Sequence, residues 1–298
     1  MPAIVLKVDV DTLRGTQEGV PALGSLFQRL GVPATFLFSL GPDNTGRALR
    51  RVFRPGFLAK VRRTSVVSNY GLKTLMYGTL IPGPKIAQRC RVEMRAILHQ
   101  GFECGVHTWD HVKWQDGVAK ASLEWTREQL GHAVRCFEEV FEFLPKVHGA
   151  AGWQMNEHVP RLQAQFHFEV ASDTRGTHAF QPEGGGVMQI PTTLPTLDEI
   201  LERDDPTGQR ALDSLLALTN AGSQDLHVYT LHAEMEGAAY LPQFERLLQA
   251  WKAAGMEFIT LGDAAKRLDT TKLPVCRIVA GEVPGRSGDL ALQAVGAA

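Results

Sequence analysis

Cysteine is scarce in this chain, and Cys90, Cys104, Cys136 and Cys276 show neither a C-x-x-C pair nor a regular spacing. A disulfide framework is excluded, and reduced thiols in a cytoplasm are the expectation. Long apolar runs are missing too: no window reaches about 18 uninterrupted apolar residues, and the first residues show no basic and apolar leader pattern. Neither a membrane span nor secretion is expected. Charge of one sign does not dominate, with 31 Lys and Arg against 32 Asp and Glu, so no general affinity for polyanions follows. The 298 residues, 44% of them hydrophobic, are enough for one barrel-sized globular domain.

The apolar pattern alternates between strand-like and helix-like periods. Strands are expected at 3–10, 34–40, 102–107, 146–149, 168–171, 187–190, 226–231 and 256–260. Helices fall between them at about 20–31, 86–100, 122–143, 156–165, 209–219 and 241–254. Seven or eight βα units imply an α/β fold with a parallel sheet closed, or nearly closed, into a barrel. The chemistry is expected in one domain, residues 1–269, with 270–298 a peripheral or partly disordered tail rich in Gly, Ala, Val and Pro.

The first strand, "AIVLKVDV", runs into Asp9 and Asp11, which alternation puts on one face opposite Ile4, Leu6, Val8 and Val10. Adjacent like charges need a reason. A solvated strand end is one; a phosphatase of the haloacid dehalogenase type, with a covalent aspartyl nucleophile, is another; a metal site is the third. Further along, "GVHTWDH" sets His107 and His111 four residues apart, and "TLHAEMEG" carries His232 to the end of an apolar strand. In parallel α/β folds the C-terminal strand ends converge, which brings these residues together. Two His and one Asp, with an open position, suit a catalytic divalent cation; Zn, Co, Mn and Ni all fit such a donor set. Asp110, inside the same heptapeptide, is an alternative ligand or a partner for a ligand's second ring nitrogen. The phosphatase reading leaves all three histidines idle.

The order Asp-x-Asp, His-x-x-x-His, Leu-x-His resembles the NodB-type polysaccharide deacetylases, carbohydrate esterase family 4, whose domain is a distorted (β/α)7-type barrel. "DVDTLRGTQEGVPAL", "FSLGPDNTGR", "AAGW", "SDTRG", "IPTTLPTLDE" and "HAEMEG" are similar to the branch that deformylates 4-deoxy-4-formamido-L-arabinose-phosphoundecaprenol. The resemblance implies a metal-dependent amide hydrolase (deformylase or deacetylase) in lipid A modification and resistance to cationic antimicrobial peptides. It implies Asp11, His107 and His111 as metal ligands, Asp9 as general base and His232 as general acid. The matched segments offer Arg14, Glu18, Trp153, Asp173, Arg175 and Glu234 as substrate-facing candidates. The Arg expected near a Pro and Gly in the family's third motif is missing from "AAGW"; Arg14 or Arg175 are its candidate substitutes.

Residues 41–86, after the second strand, carry nine cations, among them Arg50, Arg51, Arg54, Arg62 and Arg63, against the single acid Asp43. Apolar residues such as Phe57 are interleaved with them. A basic amphipathic insertion of this kind suits an anionic membrane surface, at about 1 kcal/mol per cation. No nucleic-acid motif accompanies it. The expected partner is a lipid-linked sugar, met from the cytoplasmic face of the inner membrane; deacetylation of another N-acyl sugar and a non-catalytic lipid carrier on the same fold are the alternatives.

Overall fold

The structure, a computed structural model, describes residues 2–48, 74, 76–202, 204–205, 207–221 and 224–294. Seven parallel strands form one curled sheet: β1 (Ala3–Val10), β2 (Thr35–Ser39), β3 (Glu103–Thr108), β4 (Val147–His148), β5 (Val170–Ala171), β7 (Leu226–His232) and β8 (Glu257–Ile259). The path runs β5-β4-β3-β2-β1-β7. On β1, β2 pairs with Lys7 to Val10, whereas β8 pairs with Ala3 to Val5.

The expected strand at 187–190 is not a continuous ladder. Residues of this stretch instead span the gap between the sheet's ends: Ile190 N–H donates to the Ala171 carbonyl, and Thr193 and Leu194 N–H donate to the Val228 carbonyl. Pro191 breaks the regular pattern there, since proline has no N–H for a ladder. The barrel is thus nearly closed by an irregular segment.

Among the described residues, eight helices cover the sheet: α1 (Val20–Leu30), α2 (Arg91–His99), α3 (His111–Gly117), α4 (Leu123–Phe141), α5 (Val159–Gln165), α6 (Gln209–Ala221), α7 (Leu241–Ala253) and α8 (Leu261–Arg267). Single turns at Ile86–Arg89 and Leu197–Ile200 add to them. The helix expected over 86–100 breaks at Cys90, whose φ of −120° is outside the helical range. α1 begins with Pro21 in its first turn and stops at Gly31, where φ is 63°, a conformation glycine adopts without a Cβ penalty.

β1 is buried on both faces, as a covered parallel strand must be. Its outward residues Ile4, Leu6, Val8 and Val10 join the main core with Leu23, Phe27, Phe36 and Trp251. Each such aliphatic side chain contributes about 1.5–3 kcal/mol on burial. Its inward residues Ala3 and Val5 join a smaller plug with Leu37, Val147, Val170, Ile190, Val228 and Ile259. Alternation therefore continues the inward series above that plug with Lys7, then Asp9.

Residues 270–294, expected as a peripheral or partly disordered tail, include three short strands. β9 (Val275–Cys276) pairs with β6 (Gln181–Pro182), and β10 (Ile278–Gly281) forms a hairpin with β11 (Leu290–Gln293). β11 docks on the loop after β5, where Arg175 N–H donates to the Ala291 carbonyl and Gln293 N–H to the Arg175 carbonyl. Strands of two to four residues with remote partners carry too little periodicity to be read in advance.

The candidate metal centre and its frame

Asp11 lies one residue beyond β1, His107 near the end of β3, and His111 at the start of α3. Both imidazoles aim their Nε2 atoms at one oxygen: His107 Nε2 is 3.2 Å and His111 Nε2 3.4 Å from Asp11 Oδ1. One donor atom from each of the three residues lies within 4.8 Å of the others. His107 Nδ1 donates to the Gly149 carbonyl at 2.7 Å, which leaves Nε2 as the ring nitrogen turned to Asp11. Asp11 Oδ1 is buried and accepts no hydrogen bond from the described residues. Burial opposes ionisation of Asp11, yet His111 and His107 outweigh it and hold the carboxyl well below the usual carboxylate range. Two oriented ring nitrogens and a carboxylate with a bare buried oxygen fit a divalent ion.

The backbone around this corner is braced from four sides. Asp110 caps α3 by accepting Lys113 N–H at 3.0 Å, and its other oxygen accepts Asn44 Nδ2–H at 2.6 Å. It anchors the His111 turn and lies outside the group of Asp11, His107 and His111 that could hold an ion. Asp43 accepts Leu13 N–H at 2.9 Å, so the "GPDN" stretch after β2 steadies both ligand-bearing segments. Glu234 accepts from Thr12 N–H at 2.9 Å, Thr12 Oγ1 at 2.8 Å and Asp11 N–H at 3.1 Å. Its burial, with the Asp11 carboxylate nearby, pushes its pKa up to about 8. Gly15 makes this approach feasible: a Cβ there would lie 1.9 Å from Glu234 Oε1. On the far side His148 Nδ1 lies 2.8 Å from Asp173 Oδ1, which also accepts Ala150 N–H at 2.7 Å and so fixes the loop carrying the Gly149 carbonyl.

Asp9 and His232 stand opposite each other in register on β1 and β7, and Ala233 N–H donates to the Asp9 carbonyl. Asp9 Oδ1 lies 3.8 Å from His107 Nδ1 and is buried without a hydrogen-bond donor among the described residues. The other oxygen, Oδ2, lies 3.4 Å from Lys7 Nζ. His232 N–H donates to Glu236, whose second oxygen accepts the Tyr229 hydroxyl at 2.6 Å.

The substrate-facing candidates divide. Arg14, which caps the helical turn Gly15–Gly19, pairs at 2.8 Å with Glu18 in that turn, both partly or fully exposed. Trp153, Asp173 and Glu234 are 1%, 0% and 2% exposed, so they belong to the frame and present no surface for a ligand. Arg175 binds Glu199 at 2.6 Å and lies 5.0 Å from the centre of the Trp153 ring. Arg286 lies over the same indole at 4.8 Å and pairs with Glu199 at 2.7 Å and Asp198 at 3.0 Å. Lys7, Asp43, Asn44, His148, Glu199, Glu236 and Arg286 carry much of the frame, and sequence reasoning assigned none of them a part in the site. Asp43, Asn44, Glu199 and Glu236 lie in segments that matched the family, and Lys7 had a further visible signal, its parity with Asp9 and Asp11 in an otherwise apolar strand.

Arg50, Arg51, Arg54, Phe57, Arg62 and Arg63 lie outside the described residues. At the described edge of the insertion, Leu80 is 82% exposed. No helix among the described residues is long and apolar enough to cross a membrane.

No protein-family model matches the chain. A Shewanella sediminis protein described as a probable 4-deoxy-4-formamido-L-arabinose-phosphoundecaprenol deformylase is 36% identical over 292 residues, 97% of this chain and 94% of the relative. A Wigglesworthia glossinidia brevipalpis protein of the same description is 32% identical, covering 94% of this chain and 98% of its own. A Mycobacterium smegmatis crystal structure assigned to the polysaccharide deacetylases superposes with a TM-score of 0.66 at 17% identity, over 94% of both chains. That likeness speaks for the fold.

Proposed function

From a chain that belongs to the 4-deoxy-4-formamido-L-arabinose-phosphoundecaprenol deformylases, on a NodB-type fold, and that hydrolyses amide C–N bonds, we propose a metal-assisted deformylation of that lipid-linked sugar. The reading is supported above all by the convergence of His107 and His111 Nε2 on Asp11 Oδ1 beside a facing Asp9 and His232. A divalent ion held by Asp11, His107 and His111 would polarise the formyl carbonyl and acidify a water.

The chain's own groups then have separate tasks. Asp9 Oδ1, buried and without a donor, takes a proton from the attacking water. His232, across the β1–β7 ladder, gives a proton to the sugar nitrogen as the C–N bond breaks. Water adds across the amide, and formate and the free amine leave. Arg14, partly exposed and paired with Glu18, is the cation left to meet the sugar phosphate. The basic residues of 41–86 and exposed Leu80 would rest on an anionic bilayer at the cytoplasmic face, with the amino-sugar lipid serving lipid A modification.

The test is mass spectrometry of the chelator-stripped and metal-reloaded protein with the formamido lipid and its acetamido analogue. Formate release only in the reloaded sample is expected. Preferential loss of the acetyl group would replace this reading with deacetylation of another N-acyl sugar. Release of neither would favour a lipid-binding role. Flotation with anionic and neutral vesicles tests the membrane part, and equal recovery with both would remove it.

A further inference from the structure

Lys7 is 0% exposed on the inward face of β1, one step below Asp9 and one above the apolar plug that contains Val5. An ammonium taken out of water needs a counter-charge, and its ion-pair partner among the described residues is Asp9, at 3.4 Å from Oδ2. The Trp153 ring lies 5.2 Å from its Nζ, a cation–π contact. Gly149 completes the slot: a Cβ there would lie 2.9 Å from Lys7 Cε and 2.4 Å from Leu37 Cδ1. Trp153 itself has φ 51°, a left-handed conformation that is strained for a tryptophan and keeps the indole over this slot. Arg175 and Arg286 also flank the indole, but their ion partners are Glu199 and Asp198.

We infer that Lys7 is the positioning residue of the Asp9 carboxylate, its charge 3.4 Å from Oδ2 as an ion pair without a hydrogen bond among the described residues, so that Oδ1 faces the His107 side of the site. This rests on Asp9 being the proton acceptor of the proposed deformylation. It makes Lys7, rather than Arg14 or Arg175, the cation that the missing third-motif arginine leaves to be found.

The experiment compares the metal-loaded full-length chain with Lys7→Met, Lys7→Arg, Asp9→Asn and Lys7→Met/Asp9→Asn on the formamido lipid, with metal content measured by plasma mass spectrometry. Misplacing Asp9 by about 1 Å costs on the order of 100-fold in kcat. Lys7→Met is expected to show that loss with KM within about threefold and metal content unchanged, and Lys7→Arg to recover to within about tenfold of wild type. In the Asp9→Asn background Lys7→Met should cost less than about threefold more, because Lys7 acts through Asp9. The double variant should also melt above Asp9→Asn, which leaves the Lys7 charge buried alone. That melting comparison stands if Lys7→Met by itself does not fold. Wild-type kcat in Lys7→Met, an additive loss in the double variant, or a double variant no more stable than Asp9→Asn would overturn the inference while leaving the deformylase reading intact. Full activity in Asp9→Asn would overturn the role of Asp9 in that reading, and the inference with it.

Discussion

Two charged corners meet at Asp9, and they are built on opposite plans. In the candidate metal corner, Asp11, His107 and His111 turn ring nitrogens and a carboxylate oxygen toward one point, and the surrounding residues serve to aim them. In the corner around Trp153, Lys7, Arg175 and Arg286 surround an indole, and carboxylates from Asp9, Asp198 and Glu199 compensate them. The first has the donor set to take an added cation. The second is already neutral, and its charges hold the loop after β4, the segment at 196–199 and the C-terminal hairpin to β1. A cluster of buried charges is thus a site where it leaves donor atoms bare, and a fastening where every charge meets its partner.

The largest expected effects separate the two corners. Asp11→Ala or His107→Ala should lower formate release by about 1,000-fold or more and abolish stoichiometric metal, with thermal unfolding measured alongside. Retained metal and turnover in both would remove this corner from the chemistry. His232→Ala should lower kcat by about 10²–10⁴-fold while metal content stays at the wild-type level, because its task is the leaving nitrogen. Metal loss in that variant would move His232 into the ligand set.

Arg286→Ala is the matching cut on the other side. Removing one partner from these buried pairs should cost about 3 kcal/mol in chemical denaturation, with kcat within about tenfold of wild type. A collapse of kcat at unchanged stability would erase the distinction between the corners.

The unequal visibility of the two corners in the sequence follows from the same plans. A metal-binding donor set is confined to a few residue types, so Asp11, His107 and His111 stood out as candidates before any coordinates. The sheet was legible for a related reason: β1 and β7 are long apolar runs, and their parity already faced Asp9 away from Val8 and Val10. The fastening has no comparable grammar. Arg286, Glu199 and Trp153 are distant in sequence and meet only because β11 docks beside Arg175. Lys7 lay between: its inward parity was visible, but its burial beneath Asp9 depends on Gly149 and Trp153.

Acid sharpens the comparison on the frame that supports His107. Asp173 is buried, which works against its charge, yet His148, Gln163 and the Ala150 N–H outweigh that and lower its pKa. A folded pKa below the unfolded value near 3.9 means that its contribution is fully present above about pH 4 and fades as pH falls through the lower folded value. Urea midpoints of wild type should therefore decline below about pH 4, and Asp173→Asn should start lower at neutral pH with a shallower acid limb. Parallel limbs would show that Asp173 does not carry the acid sensitivity of this frame.

The smallest effect belongs to the rim, where Arg14 and Glu18 side chains are 35% and 61% exposed. Exposed ion pairs contribute about 0–1 kcal/mol, so Arg14→Gln should barely move the denaturation midpoint. If Arg14 meets the sugar phosphate, KM for the lipid-linked substrate should rise by about tenfold, equivalent to about 1.4 kcal/mol, with kcat nearly unchanged. A water-soluble formamido sugar without the phosphodiester should show no such difference between wild type and Arg14→Gln. An equal rise for both substrates would place the contact on the sugar, and no rise for either would leave Arg14 and Glu18 a surface pair, distinct from both corners.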